Sequence, residues 1–202
     1  MVQDAWWWKA SGLPWVGASK YGLMRQSLKA CVWCGPSKCY RNQDNVLIQA
    51  SPETRNRLEH DLEMGNLSDE RVYTPSGHSV NRRQCYISMI EKGGVTPYNV
   101  LMPTGFYAQT SPGAHGHGAG TPLKLADWWV RYICPPGGTV CDPCVGSGTM
   151  MLAAIQNGCN GIGIEKFPEP GREINDKDNP DYFGIAEARV TAAQNECVQL
   201  SF

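Results

Sequence analysis

An α/β sheet carrying an irregular insert is the fold that this 202-residue sequence predicts, on three observations. Thr139-Val140-Cys141 is short and β-branched, and it is entered from the breaker run Pro135-Pro136-Gly137-Gly138. It leads through two glycines into Met150–Ile155, which reads as a helix stopped by Asn157-Gly158, and then into a second apolar run, Gly161 to Glu165. Ala5-Trp6-Trp7-Trp8-Lys9 and Ala30-Cys31-Val32-Trp33-Cys34 read as two further strands, closed by Gly12 with Pro14 and by Gly35-Pro36, whereas residues 40–116 lack a regular period.

Taken in chain order, Met1-Val2-Gln3-Asp4 has neither the basic start nor the apolar core of a secretory signal, and no apolar run approaches the length of a membrane span, so a cytoplasmic protein is expected. The three consecutive tryptophans suit a strand buried on both faces better than a base-stacking platform. Tyr21 to Lys29 reads as a short helical or linking piece. Nine cysteines include two Cys-x-x-Cys pairs, Cys31/Cys34 and Cys141/Cys144. Strand positions three apart point to opposite faces, so buried reduced thiols are expected rather than a metal site. A zinc-stapled nucleic-acid module stays open as an alternative.

The segment 40–116 alternates polar and basic runs, with a helical turn or two expected at Arg57 to Glu63. The glycine-rich stretch Ser111 to Gly120 reads as a linker. Thr121 is expected to cap the next helix, with Pro122 in its first turn. Leu123, Ala126, Val130 and Ile133 would form its apolar stripe. A last helix should start at Asn179-Pro180-Asp181-Tyr182-Phe183 and run towards Cys197. The net charge of −1 excludes a protein that coats nucleic acid over its whole surface. Residues 1–92 hold twelve Lys/Arg against nine Asp/Glu and residues 93–202 six against ten, which suits phosphate contact by part of the surface only.

The chemistry concentrates at Asp142-Pro143-Cys144-Val145-Gly146-Ser147-Gly148-Thr149. A carboxylate at the end of a strand can hold a donor group, and glycines let backbone approach a ligand closely. Glu165 ends the second strand nineteen positions after Gly146, where an acid accepts from a ribose diol. Met151 stands where a dinucleotide fingerprint has its third glycine, and nothing basic lines the turn for a pyrophosphate. A nucleoside with a ribose and no phosphate fits better, S-adenosylmethionine being such a ligand, with Glu165 on the ribose and Asp142 facing the amino end of the methionine.

These residues, the helix after them and Gly161-Ile162-Gly163-Ile164-Glu165 resemble the cofactor site of the DNA amino-methyltransferases, which methylate adenine N6 or cytosine N4. The circularly permuted, beta-like class is the best match, because its cofactor motif lies near the carboxyl end. The resemblance implies a Rossmann-like S-adenosylmethionine-dependent methyltransferase sheet, incomplete here, with an irregular insert. It divides the chain into sheet strands at 1–39, a target-recognition insert and linker at 40–116, and the cofactor half at 117–202. The cofactor would touch His117, Pro122, Asp142, Pro143, Cys144, Gly146, Ser147, Gly148, Thr149 and Glu165, Cys144 replacing the family's usual phenylalanine. Double-stranded DNA would meet Arg41, Arg55, Arg57, Arg82 and Arg83. The family's catalytic tetrad, Asp, Asn or Ser followed by Pro-Pro and an aromatic residue, is absent from the sequence. No catalytic residue is therefore assigned, no metal is implied, and an upstream polypeptide carrying the tetrad is an expected partner. A non-catalytic cofactor- or DNA-binding remnant is the alternative.

Overall fold

The computed structural model describes residues 3–8, 28–67, 69, 71–73, 77, 79–101, 120–166 and 181–199. They fall into two compact units, one formed by 1–42 with 99–202 and the other by 43–98.

In the first unit, β1 (Gln3–Trp8) pairs antiparallel with β2 (Leu28–Trp33) and parallel with β5 (Val100–Leu101). Trp7 lies opposite both Lys29 and Leu101, whereas Trp6 lies opposite Ala30 and Val100. Strand alternation therefore puts Trp7 inward, 6% exposed, and Trp6 outward, 38% exposed. The expectation of a tryptophan strand buried on both faces is corrected: one face of this sheet is covered and the other meets solvent. The cover is α3 (Leu123–Ile133), whose Leu125, Trp128 and Trp129 pack with Trp7, Leu101 and Cys31. Tyr132 joins this layer through its ring contact with Trp33, 5.3 Å between centroids. Burying Leu125 alone contributes about 2 kcal/mol.

Helix α3 also departs from its expected start. Pro122 occupies the cap position itself, and no side chain caps the helix, so Thr121 does not. Leu125 and Ala126 donate to the Pro122 carbonyl instead. The helix is apolar on two sides, one for the sheet and one for the next helix. Leu125 and Tyr132 are accordingly buried, while Ile133 is exposed.

The parallel pair β6 (Thr139–Asp142) and β7 (Asn160–Gly163) forms a second sheet, joined through α4 (Thr149–Gln156). Helix α4 packs on α3 through Ala126, Val130 and Ala153, all nearly solvent-free, with Val140 beneath them. Asn157 ties the two helices by donating to Asp127 Oδ1 at 2.8 Å and to the Ala153 carbonyl at 2.8 Å. Helix α5 (Tyr182–Gln199) lies against α4, and Asp181 caps it by accepting from the Gly184 amide at 2.9 Å.

In the second unit, Ser51 caps α1 (Pro52–Glu63), whose length exceeds the expected turn or two because Ser51, Pro52 and Glu53 together are a start signal. The hairpin β3 (Arg71–Tyr73) and β4 (Ser79–Asn81) runs into α2 (Arg82–Lys92). Asn81 accepts from the Gln84 amide at 3.0 Å, and Gly93 ends the helix with φ 79°. The run Asn81-Arg82-Arg83-Gln84, within the segment read above as alternately polar and basic, is thus a helix start. Among the described residues no helix is long and apolar enough to cross a membrane.

Candidate cofactor site

The site is built on the carboxyl ends of β6 and β7. Asp142 Oδ1 turns back to accept from the Cys144 amide at 3.0 Å, which bends the chain at Pro143. The turn is then stitched to β7 from both directions. Ile164 donates to the Asp142 carbonyl and Val145 to the Ile164 carbonyl, each at 2.9 Å. The Gly146 amide donates to Glu165 Oε2 at 2.6 Å, a short charge-assisted bond. Gly146 and Gly148 take φ of 50° and 83°, values at which other residues are strained. Thr149 opens α4 directly behind them.

Asp142, Pro143, Cys144, Gly146, Ser147, Gly148 and Thr149 therefore lie in one turn, and Glu165 is bonded to it from beyond β7. Pro122 is buried at the start of α3, and His117 lies outside the described residues. Among the described residues, one oxygen of each carboxylate is engaged, Oδ1 of Asp142 and Oε2 of Glu165. The second oxygen of each remains an acceptor for a ligand donor.

One participant has no counterpart in the sequence reading. Arg189, from the middle of α5, donates to the Ser147 carbonyl and to Ser147 Oγ, the latter at 3.0 Å. The statement that nothing basic lines the turn is thereby corrected. This guanidinium is half-buried and directed at Ser147, and burial lowers its pKa below the ordinary arginine value. Beside it α5 touches the turn again, since a Cβ on Gly148 would lie 3.2 Å from Ala186 Cα and Cβ. The one available signal was that Arg189 is the sole basic residue of α5. Between α4, β7 and α5 opens an apolar groove of about 230 Å³, with Val145 and Gly163 at its floor and Phe183 and Val190 on the helix side.

The arginines proposed for DNA are distributed over both units. In the first, Arg41 stacks over the Trp33 ring at 5.9 Å. In the second, Arg55 pairs with Glu59 at 3.4 Å and donates to the Ile90 carbonyl, and Arg83 pairs with Asp69 at 3.5 Å. Arg57 and Arg82 are exposed on α1 and α2. No group of three or more His, Cys, Asp or Glu side chains that could hold a metal ion occurs among the described residues.

The chain is similar to the PvuII cytosine-N4-specific DNA methyltransferase, with 17% identity and a TM-score of 0.48, over 96% of this chain and 55% of that one. It is equally similar to the M1.HpyAVI protein, solved as a SAM complex, with 17% identity and a TM-score of 0.48, over 93% of this chain and 61% of that one. It thus spans somewhat more than half the length of these structures. No curated protein matches the sequence. The N6/N4 methylase family model, described as DNA methylase, matches residues 2–175, and the chain accordingly belongs to the DNA methylase family.

Proposed function

We propose that this chain supplies the S-adenosylmethionine-binding half of an enzyme that methylates the exocyclic amine of adenine or cytosine in DNA. The observation that carries the reading is the pair of carboxylates, Asp142 and Glu165, at the ends of adjacent parallel strands, on either side of a turn of positive-φ glycines. Each carboxylate keeps one oxygen for a ligand, which suits a ribose diol on one side and an amino group on the other. Family membership supports the same reading.

When bound, the cofactor supplies a methyl group on a sulfonium. Asp142 and Glu165 would hold it through their second carboxylate oxygens, and the chemistry it would supply there is an electrophilic methyl for the base nitrogen. The residues of this chain would contribute orientation, and positioning is the main catalytic resource of such a displacement. Glu165 is itself held by the Gly146 amide, so its free oxygen is placed before a ligand arrives. Arg41, Arg55, Arg57, Arg82 and Arg83 would meet duplex phosphates, and a polypeptide bearing the missing tetrad would complete the base pocket.

The second reading, a cofactor- or DNA-binding remnant without turnover, is the alternative that the sequence left open. Transfer of labelled methyl groups to duplex DNA, with and without a tetrad-bearing polypeptide, separates the two. Incorporation in either arm supports the enzyme; saturable cofactor binding with no incorporation in both arms supports the remnant.

A further inference from the structure

Arg189 occupies a place that helix stability does not explain. Its guanidinium sits against the turn that opens α4, where a cation opposes the helix dipole. It is partly withdrawn from water, another cost. In return it engages both oxygens of Ser147, at the centre of the glycine turn. Ala186, three residues earlier on the same helix face, packs on Gly148, so α5 grips the turn at two adjacent points.

The hydrogen-bonding consequence concerns Ser147. A hydroxyl has one proton and two lone pairs, and arginine can only donate. With the guanidinium donating to Oγ, the Ser147 proton must point elsewhere. Its carbonyl accepts from the same side chain, so one of that oxygen's two lone pairs is already used. Resting on the cofactor-site reading above, we propose that Arg189 is a positioning residue for this site: it fixes the Gly146–Thr149 turn and sets Ser147 Oγ as a hydrogen-bond donor to an acceptor oxygen of the bound sulfonium nucleoside. Both acceptors are reached from one terminal nitrogen, Nη1, whose two N–H groups the planar guanidinium holds in fixed directions.

The test compares Arg189→Met, Arg189→Lys, Ser147→Ala and the Arg189→Met/Ser147→Ala double variant in the full chain. Two readouts are taken, amide hydrogen exchange without ligand and calorimetric titration with S-adenosylmethionine, each on protein shown to be folded by near-ultraviolet dichroism. Arg189→Met should speed exchange at residues 146–149 more than along α3 or β7, and should weaken the cofactor about tenfold. Arg189→Lys should recover part of both effects. Ser147→Ala should cost less in the Arg189→Met background than alone, because the hydroxyl is no longer aimed.

A folded Arg189→Met variant with wild-type turn exchange and wild-type affinity overturns the proposal. So does a variant that melts earlier yet binds normally below its transition, which marks a purely structural arginine. Wild-type protein that fails to bind the cofactor overturns the site reading instead, while the exchange arm still decides whether Arg189 fixes the turn. Should Arg189→Met not fold, Arg189→Lys and Ser147→Ala carry the same comparisons.

Discussion

Replacing Gly148 by alanine tests whether α5 holds the glycine turn as tightly as the geometry requires. At φ 83° an alanine is strained by roughly 1–2 kcal/mol. A smaller unfolded-state entropy returns about 0.4–1 kcal/mol. The new Cβ would also lie 3.2 Å from Ala186 Cα and Cβ, inside ordinary van der Waals contact. One of those atoms is backbone of a helix that Arg189 anchors to Ser147, so little relaxation is available; overpacking of this kind costs about 1–3 kcal/mol. Gly158 is the control, since its φ of 63° imposes similar strain but nothing lies within 4 Å of its would-be Cβ. Subtracting one substitution from the other cancels strain and entropy and leaves the contact with α5. Urea unfolding followed by tryptophan fluorescence should show Gly148→Ala destabilised by about 1–3 kcal/mol more than Gly158→Ala. Equal losses at the two positions would refute the packing of Ala186 on the turn.

Three further outcomes follow from the same contacts. Glu165→Gln keeps an oxygen for the Gly146 amide but loses its charge, so denaturation should show a loss of about 1 kcal/mol and titration a weaker cofactor. Asn157→Ala removes the bridge from α4 to Asp127 and should cost about 1–3 kcal/mol in the same unfolding assay, with Asn157→Asp no better because it sets two carboxylates together. The Cys134 thiol, desolvated and beside Cys159, is pushed up from 9.0 to about 11. The folded state therefore holds a proton that the unfolded state loses between those values, and unfolding free energy should fall as pH rises through that window. A Cys134→Ser variant should flatten the fall.

The cofactor unit was largely legible because its signals are local. Thr139-Val140-Cys141 is β-branched, Gly146 and Gly148 punctuate, and Asn157-Gly158 stops the helix, so β6, α4 and β7 lie where the pattern puts them, with β7 ending two residues early. Trp6-Trp7-Trp8 could not reveal which face is covered, because three identical residues carry no alternation; the answer comes from α3, more than a hundred residues away. Helix α2 was missed although Tyr86, Ile87, Met89 and Ile90 share one side at helical spacing and Asn81, Gln84 and Gly93 carried cap chemistry, because its first turn is polar and basic. The start of α3 differed because Pro122, fixed in φ, can serve as a cap residue as readily as a first-turn one. Arg189 was overlooked for a different reason. Its partner lies 42 positions away, and no spacing rule connects a helix-face arginine to a turn carbonyl.

Calorimetric titration of the purified chain with S-adenosylmethionine, alongside Asp142→Asn, Glu165→Gln and the double variant, addresses the account at its root. Saturable one-site binding is expected, weaker in each single variant and lost or nearly lost when both carboxylates are neutralised. A wild-type chain that takes up no ligand, or a double variant that binds as the wild type does, would contradict it.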